Sequence, residues 1–413
     1  MPALNAKTCM AAVMLLACPF LMGGFLTRAW TPAHAAAGKT LEARSDDVSA
    51  QRKKPAKKPA PKPGEFPARE PFTAEEQNAA VMPNMPDARF WSDSVSDFKK
   101  ALPATPGPWL VLSSGGGDGA FGAGLLNGWS ESGKRPEFSV VTGVSTGALM
   151  APYAFVGPRY DAAVREAYTS INAGSIFEAG GKGESFLDTW PLRELINKQV
   201  NPQLLADIAA EHQRGRRLFV VTSNLDAERY VVWNMGAIAA HGGESAVQLF
   251  RNVLLASTSI PGLFPPVLID VEANGRRFQE MHADGGLGGQ FFVGPEAYLS
   301  STGTERLPAT ELYVVINTQL MPVTAPTERT ILTISGRSIS AFVKTATRIA
   351  IDRTYGMTRR SGIGFNLAVI QGFDHPSRGP FDPDYMKALF QFGYERGKNG
   401  GQFLREVPDF SAR

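Results

Sequence analysis

Cysteine is almost absent from this chain of 413 residues. The two cysteines, Cys9 and Cys18, both lie close to the N-terminus. The rest of the chain therefore has no thiol for a disulfide framework, a cysteine-based metal site or a catalytic cysteine. Histidine is also scarce, with 5 residues, and no His-Glu-x-x-His pattern of a zinc hydrolase occurs. The sequence predicts chemistry without a thiol or a metal, and we expect no cofactor.

The chain also lacks an excess of one charge sign. Its 42 Lys and Arg residues and 39 Asp and Glu residues leave a net charge of +3, which gives no electrostatic reason to expect nucleic acid. The Gly-rich segment that begins at Gly115 does not end in Gly-Lys-Ser/Thr, so it is not a P-loop. Its partial Gly-x-Gly-x-x-Gly match at Gly117 is weak without a ribose-binding acid. We expect no nucleic-acid partner and no bound nucleotide.

Residues 1–35 are predicted to be an export signal. A short basic region precedes an apolar run at residues 9–26, and small residues at 33–36 offer a cleavage site after residue 35. Residues 15–18 also resemble a bacterial lipobox, which would make Cys18 a lipidated N-terminus. An uncleaved anchor is the third possibility. We expect an exported protein that is periplasmic, envelope-associated or secreted.

Residues 36–89 are predicted to be a disordered, proline- and lysine-rich linker. The segment 51–64 carries six positive charges and no negative charge. Proline and charge repulsion keep such a segment extended. It is either a solvated spacer or a segment attracted to an anionic membrane or envelope polymer. The folded domain is predicted to span residues 90–413.

Short apolar runs in this domain predict a mainly parallel sheet. Leu110–Leu112 and Val140–Val141 are typical of buried strands, and each is followed by a Gly-rich turn and a segment compatible with a helix. Further strands are predicted at residues 218–222 and 312–316, with 229–233 as the hairpin partner of the former. Helices are predicted at residues 147–155, 159–171, 191–200, 202–212, 245–256, 336–355 and 384–398. Because strands and helices alternate, we predict one α/β domain.

The two Gly-rich turns carry the candidate chemistry. The second turn reads Gly143-Val-Ser145-Thr-Gly147, a G-x-S-x-G. Glycines two places on either side of a serine allow the sharp strand-to-helix turn that exposes its Oγ. The first turn supplies Gly115, Gly116 and Gly117, whose backbone N–H groups can converge without interference from a Cβ atom. We predict that Ser145 attacks an acyl carbon and that this glycine loop binds the oxyanion.

A serine hydroxyl needs a base, and the candidate is Asp284, which is followed by Gly285 and Gly286. The two glycines permit a tight turn close to another backbone, where burial would have to raise the pKa of the carboxyl. His282, two residues earlier, is expected to line this turn. A rival interpretation adds His375, because Ser145, Asp284 and His375 follow the chain order of α/β-hydrolase triads. Both the dyad and the triad remain open at this point.

Taken together, these motifs resemble the patatin-like phospholipase family. Residues 222–233 are similar to the central hairpin of the family, residues 256–267 are similar to its Ala-Ser…Pro-Gly-x-Phe-Pro segment, and the resemblance is strong over residues 108–290. It implies a three-layer α/β/α fold with a mainly parallel central sheet. It also implies a Ser145–Asp284 dyad with oxyanion donors from the Gly115–Gly117 loop. The implied activity is metal-free hydrolysis of lipid esters, as in phospholipases A, lysophospholipases and lipases, and some relatives are secreted bacterial enzymes.

The glycine loop departs from the family pattern at one important position. The family loop usually reads Gly-Gly-Gly-x-Arg/Lys-Gly, whereas this chain has Ser114 at the first glycine and Asp118 at the basic position. An aspartate cannot help to bind a lipid phosphate or an oxyanion. Neutral esters or glycerides are therefore more strongly expected as substrates than the family pattern alone would suggest. We expect Asp118 to cap the helix that follows.

The expected partners are a lipid ester and a membrane or envelope surface. Residues 264–266 and 289–293 could line an apolar route to Ser145, although packing in the core would explain them equally well. The alternative function class is a non-catalytic envelope scaffold that binds lipid on a degenerate hydrolase fold. The intact Ser145 and Asp284 argue against that alternative.

Overall fold

The computed structural model describes residues 66–180 and 183–410. The predicted export signal, the possible lipidation site at Cys18 and the lysine-rich segment lie outside the described residues. The strands are β1 (Arg89–Trp91), β2 (Gly107–Leu112), β3 (Val140–Val144), β4 (Glu178–Ala179), β5 (Leu187–Asp188), β6 (Arg217–Asn224), β7 (Arg229–Asn234), β8 (Val267–Ala273), β9 (Arg276–Asp284), β10 (Ala309–Ile316) and β11 (Gly364–Val369).

The α-helices alternate with these strands along most of the domain. They are α1 (Ala74–Ala79), α2 (Val95–Ala101), α3 (Ala120–Glu131), α4 (Thr146–Val156), α5 (Asp161–Thr169), α6 (Trp190–Gln199), α7 (Pro202–Gln213), α8 (Met235–His241), α9 (Gly243–Ser257), α10 (Glu296–Leu299), α11 (Ile331–Ser361) and α12 (Pro383–Lys398). The strands predicted at 218–222 and 312–316 lie within β6 and β10, and the predicted hairpin partner lies within β7.

One mixed sheet forms the centre of the domain. Its strand order is β1-β7-β6-β3-β2-β10-β11, and β9 also pairs with β6. The pairs β6–β3, β3–β2, β2–β10 and β10–β11 are parallel. The pairs β1–β7, β6–β7, β6–β9 and β8–β9 are antiparallel. The sheet is therefore mainly parallel at its centre, as the sequence predicts.

Both faces of this sheet are covered by helices. Along β2, Leu110 and Leu112 face a core that includes apolar side chains of α3, α4, α9 and α12. The alternate residues Trp109 and Val111 face a second core with side chains of α2, α10 and α11. This alternation follows from the two-residue period of a strand that is buried on both faces. The predicted three-layer α/β/α fold is confirmed.

Ordered structure begins before the predicted domain boundary at residue 90. Helix α1 opens with a capping box in which the Thr73 side chain accepts a hydrogen bond from the Glu76 N–H at 3.2 Å, and the Glu76 carboxylate accepts one from the Thr73 N–H at 2.8 Å. Arg69 donates two hydrogen bonds to Asp226, at 2.7 and 2.6 Å. The predicted linker therefore extends too far. Polar caps and ion pairs hold this segment, together with apolar contacts such as the stacking of Phe72 on Phe278 and the burial of Met82 and Met85 in the core.

The backbones of helices α3 and α12 are in direct contact at positions where both helices have glycine. On α3, a Cβ atom at Gly124 would lie 1.9 Å from the Phe390 carbonyl oxygen, and one at Gly128 would lie 2.0 Å from the Tyr394 carbonyl oxygen. On α12, Gly393 and Gly397 make the reciprocal contacts with α3, at 2.2 and 2.1 Å. Only residues without a side chain allow this distance between the helix axes, so the two helices depend on the glycines.

We predict that Gly128→Ala destabilises the protein by about 1–3 kcal/mol, because the methyl group forces the two backbones apart. Urea denaturation measures the free energy of unfolding. Gly379→Ala is the matched control, since a Cβ atom at Gly379 would meet nothing within 4 Å. Alanine has the higher intrinsic helix propensity, by about 1 kcal/mol. A stabilised Gly128→Ala protein would therefore contradict the close contact.

Candidate active site

Strand β6 brings the ends of two other strands together. Val144, the last residue of β3, pairs with Val221 of β6 in parallel. Asp284, the last residue of β9, pairs with the next residue, Thr222, in antiparallel orientation. Strands β3 and β9 thus approach from opposite directions and end side by side along β6. Ser145, which follows Val144 directly, therefore lies next to Asp284.

Ser145 has the backbone conformation of a nucleophile elbow. Its φ of 54° and ψ of −120° are unusual for a residue with a side chain. The flanking glycines make this turn possible, because a Cβ atom at Gly143 would lie 2.5 Å from the Gly147 carbonyl oxygen. A Cβ atom at Gly147 would lie 2.4 Å from the Leu112 carbonyl oxygen. Close packing on both sides of the turn thus holds the serine in a strained conformation.

Ser257, at the end of α9, is a functional residue that the sequence reasoning missed. Its Oγ accepts a hydrogen bond from the Ser145 N–H at 3.1 Å and donates one to the Val221 carbonyl at 2.7 Å. Ser257 therefore ties the elbow to β6. The signal that could have identified it is the polar run Ser257-Thr-Ser259 after an apolar helix.

The side chains of Ser145 and Asp284 are buried and hydrogen-bonded to each other. Ser145 Oγ donates to Asp284 Oδ2 at 2.7 Å. Asp284 Oδ1 accepts a hydrogen bond from the Gly286 N–H at 2.7 Å, so each carboxylate oxygen has a donor. Burial raises the pKa of Asp284 to about 6, although the hydrogen bonds from Ser145 and Gly286 act in the opposite direction.

The backbone around Asp284 is held from two sides. Its N–H donates to the Ser259 carbonyl at 2.8 Å, and its carbonyl accepts a hydrogen bond from Ser223 Oγ at 2.7 Å. Gly285 fits between strands, because a Cβ atom there would lie 2.4 Å from the Val221 carbonyl oxygen. The Asp-Gly-Gly sequence thus lets the chain turn immediately beside β6.

The Gly115–Gly117 loop lies next to the elbow because Leu112 of β2 pairs with Gly143 of β3. A Cβ atom at Gly115 would lie 1.7 Å from the Asn317 carbonyl oxygen. Asn317 supports the following helix as well, since its Oδ1 accepts a hydrogen bond from the Gly122 N–H at 3.1 Å. Among the described residues, none accepts a hydrogen bond from the N–H of Gly116 or Gly117. Both donors are therefore available to a bound group.

An apolar cavity begins between this loop and the elbow. Gly116 and Thr146 line its end beside Ser145, and its walls carry no charged side chain. The other main lining residues are Leu149, Tyr153, Val164, Tyr168, Leu192, Ile196, Leu254, Phe381 and Met386. The stretches 264–266 and 289–293 are not among its lining residues. The ring of Phe264 is tilted against that of Phe177 at a centroid distance of 5.8 Å, and Val293 is buried in the core.

Asp118 does not cap the following helix, which corrects the sequence-based expectation. No side chain caps α3, and Asp118 lies within a 3₁₀ turn, Gly116–Gly119, that directs it towards α12. Its Oδ1 accepts a hydrogen bond from the Tyr385 hydroxyl at 2.8 Å. Burial raises the pKa of Asp118 to about 6, while the hydrogen bond from Tyr385 and the charge of Lys344 on α11 lower it.

The structure does not bring His375 together with Ser145 and Asp284. His375 lies on an exposed loop, where its Nδ1 is 3.2 Å from the Pro376 carbonyl oxygen and its ring stacks on Phe373. The sequence suggested a triad from chain order alone. Chain order does not determine where a loop lies in space.

His282 belongs to a buried polar network rather than to a surface turn. Its Nδ1 lies 2.9 Å from Thr222 Oγ1, and its Nε2 lies 3.1 Å from Glu280, which is paired with Arg89. Burial lowers the pKa of His282. The network ties β9 to β6 just before Asp284, so it positions the carboxylate.

Two further properties concern residues 66–180 and 183–410. No cluster of three or more His, Asp or Glu side chains in these residues is arranged to hold a metal ion. No helix in them has both the length and the hydropathy of a bilayer span.

Comparison with known proteins gives a match to a family model and a match to a solved structure. The family model of the patatin-like phospholipases matches residues 110–295, which include the glycine loop, Ser145 and Asp284. Among solved structures, the crystal structure of VipD from Legionella pneumophila matches with 12% identity over 80% of this chain and 71% of that chain, at a TM-score of 0.37. No curated protein matches the chain. Residues 110–295 therefore carry a patatin-like phospholipase domain, and this match supports lipid acyl hydrolysis in general.

Proposed function

We propose that this protein hydrolyses carboxylic esters of lipids through an acyl-enzyme formed on Ser145, with Asp284 as its base. The observation that carries the proposal is the 2.7 Å hydrogen bond from Ser145 Oγ to Asp284 Oδ2 in a buried site. A nucleophile and a base within hydrogen-bond reach are the minimum that covalent ester hydrolysis requires. The family match supports lipid acyl hydrolysis in general.

In the proposed reaction, Asp284 takes the hydroxyl proton while Ser145 Oγ bonds to the ester carbonyl carbon. The negative charge that develops on the carbonyl oxygen is stabilised by the free N–H groups of Gly116 and Gly117. The leaving alcohol takes the proton from Asp284 as the C–O bond breaks. Water then attacks the acyl-enzyme, Asp284 accepts its proton, and the fatty acid leaves as Ser145 regains a proton.

The surroundings of the site support a lipid substrate. The uncharged cavity beside Gly116 and Thr146 suits an acyl chain, because an apolar chain is stabilised by walls that need no charge partner. Asp118, in place of a cation beside the loop, favours a neutral ester over a lipid with a phosphate near the reacting carbonyl. We also propose that the protein is exported, on the basis of its N-terminal sequence.

We predict that Ser145→Ala abolishes labelling by a fluorophosphonate probe and lowers the hydrolysis of a soluble short-chain ester by about 10³- to 10⁶-fold. Asp284→Asn should give a similar loss, because the hydroxyl then has no base. Ser170→Ala, a change at an exposed serine, is the control and should retain both activities. Wild-type protein that neither reacts with the probe nor hydrolyses the ester would instead favour the non-catalytic scaffold.

We predict that kcat/KM falls about tenfold for each pH unit below about pH 6, because Asp284 acts only when it is deprotonated and its pKa is about 6. Above this pH the profile should level off. Asp118 also has a pKa of about 6, so the Asp118→Asn protein is the control. Loss of the inflection in that protein would assign it to Asp118 instead of Asp284.

We predict that His375→Ala changes kcat/KM for the soluble ester by less than about threefold, since an exposed loop histidine outside the hydrogen-bond network of Asp284 has no proton to transfer there. Parallel measurement of Asp284→Asn supplies the reference for a lost base. Near-complete inactivation of a folded His375→Ala protein would instead support the triad interpretation.

A further inference from the structure

The N-terminal part of α11 presents apolar side chains to solvent. Ile334, Ile339, Phe342 and Ile349 are exposed, with fractions of 50, 44, 67 and 55%. At 3.6 residues per turn, Ile334, Phe342 and Ile349 lie within about 80° of one another around the helix. These four residues are called the α11 apolar face below. Exposed apolar groups that cluster on one face mark an interaction site, whereas isolated ones do not.

Cations lie along one side of this face, and the first carboxylate farther along the helix is the exposed Asp352, three residues after Ile349. Between residues 331 and 351, the helix contains Arg337, Lys344 and Arg348 and no acidic residue. Each of the three donates a hydrogen bond to a backbone carbonyl in the loop at residues 320–323. A carbonyl accepts the hydrogen bond without neutralising the cation. Burial lowers the pKa of Lys344, and the charge of Asp118 acts in the opposite direction. The surface is therefore apolar with a positive border.

The α11 apolar face lies on the side of the domain where the active site opens. Val315 of β10 pairs with Leu112 of β2, so the loops that follow both strands leave the sheet at the same edge as Ser145. The loop after β10 touches Gly115 through Asn317 and then bonds to the cations of α11. The loop after β10 therefore joins the Gly115–Gly117 loop to the exposed part of α11.

Two other exposed apolar residues lie at this edge. Leu287 follows Asp284 closely in the chain and is 49% exposed. Ile260 is 42% exposed and adjoins Ser259, whose carbonyl accepts the hydrogen bond from the Asp284 N–H. The route to the active site is thus bordered by apolar groups on more than one element.

We propose that the α11 apolar face docks on an anionic lipid membrane and holds the mouth of the active site against it. Apolar side chains on one side of a helix enter the boundary between head groups and acyl chains, while neighbouring cations are attracted to anionic lipids. The pattern of charge favours this occupant over an acidic or a neutral protein partner, because a bilayer matches both the apolar face and its positive border. The inference deepens the proposed function and rests on it for the identity of the substrate.

The test places a fluorescent probe on the face itself. In a full-length chain with Cys9→Ser, Cys18→Ser and Ser145→Ala, the substitution Phe342→Cys introduces one thiol for an environment-sensitive nitrobenzoxadiazole label. The control is the same chain with Val81→Cys instead. Val81 is 37% exposed and forms an isolated antiparallel β-bridge with Glu272. Glu272 pairs with Arg277 near the turn of the β8–β9 hairpin, at the opposite end of β9 from Asp284. Because the readout is local, attachment through the N-terminal segment cannot imitate it.

With vesicles of phosphatidylglycerol and phosphatidylcholine, we expect the label at position 342 to shift to the blue and brighten at least about twofold, while the label at position 81 stays unchanged. Pure phosphatidylcholine should bind about tenfold more weakly, because the three cations then lose their attraction. An unchanged label at position 342 in protein that sediments with the vesicles would overturn the proposal, as would equal shifts at both positions or no sedimentation.

A shift that depends on protein concentration without vesicles would also overturn it, by showing that a second copy covers the face. The outcome is separable from the proposed function, because the labelled protein lacks Ser145 and its binding does not depend on hydrolysis. If the fluorophosphonate and ester assays failed, the proposed enzymatic activity would be ruled out, but a membrane-dependent shift of the label would still support docking.

Discussion

The register of β6 is the constraint on which the site depends. Two adjacent residues of this strand, Val221 and Thr222, pair with the ends of β3 and β9. Ser145 and Asp284 are 139 residues apart in sequence, yet this pairing leaves 2.7 Å between their hydrogen-bonded side-chain oxygens. A slip of β9 by one residue would move the Asp284 side chain to the other face of the sheet. The bond between the two oxygens is therefore a property of the sheet rather than of either loop.

Burial supplies the chemistry that this geometry needs. A carboxylate in water is a weak base, but burial raises the pKa of Asp284 to about 6, which suits the role of base proposed for it. The positive φ of Ser145 is a local strain that close packing at Gly143 and Gly147 and the hydrogen bond to Ser257 maintain. The same contacts that stabilise the domain thus hold its reactive groups in place.

The parallel centre of the sheet also gathers the elements of the candidate site at one edge. Neighbouring parallel strands end at one edge, so the glycine loop, the elbow and the loop after β10 gather there. Gly116 and Thr146 line the apolar cavity next to Ser145, and the loop after β10 connects this edge to the exposed part of α11. The proposed reaction, the proposed binding of an acyl chain and the proposed contact with a membrane all depend on this one topology, although they involve different elements.

Local patterns in the sequence determined the strands, the helices and the positions of Ser145, Asp284 and the glycine loop, because glycine spacing and apolar periodicity describe backbone geometry within a few residues. Only the tertiary structure decided that Asp118 faces Tyr385, that Ser257 supports the elbow and that His375 lies on an exposed loop. It also brought α3 and α12 together through their glycines. Each of these depends on contacts between distant segments, and no local pattern encodes which distant backbone a side chain will meet.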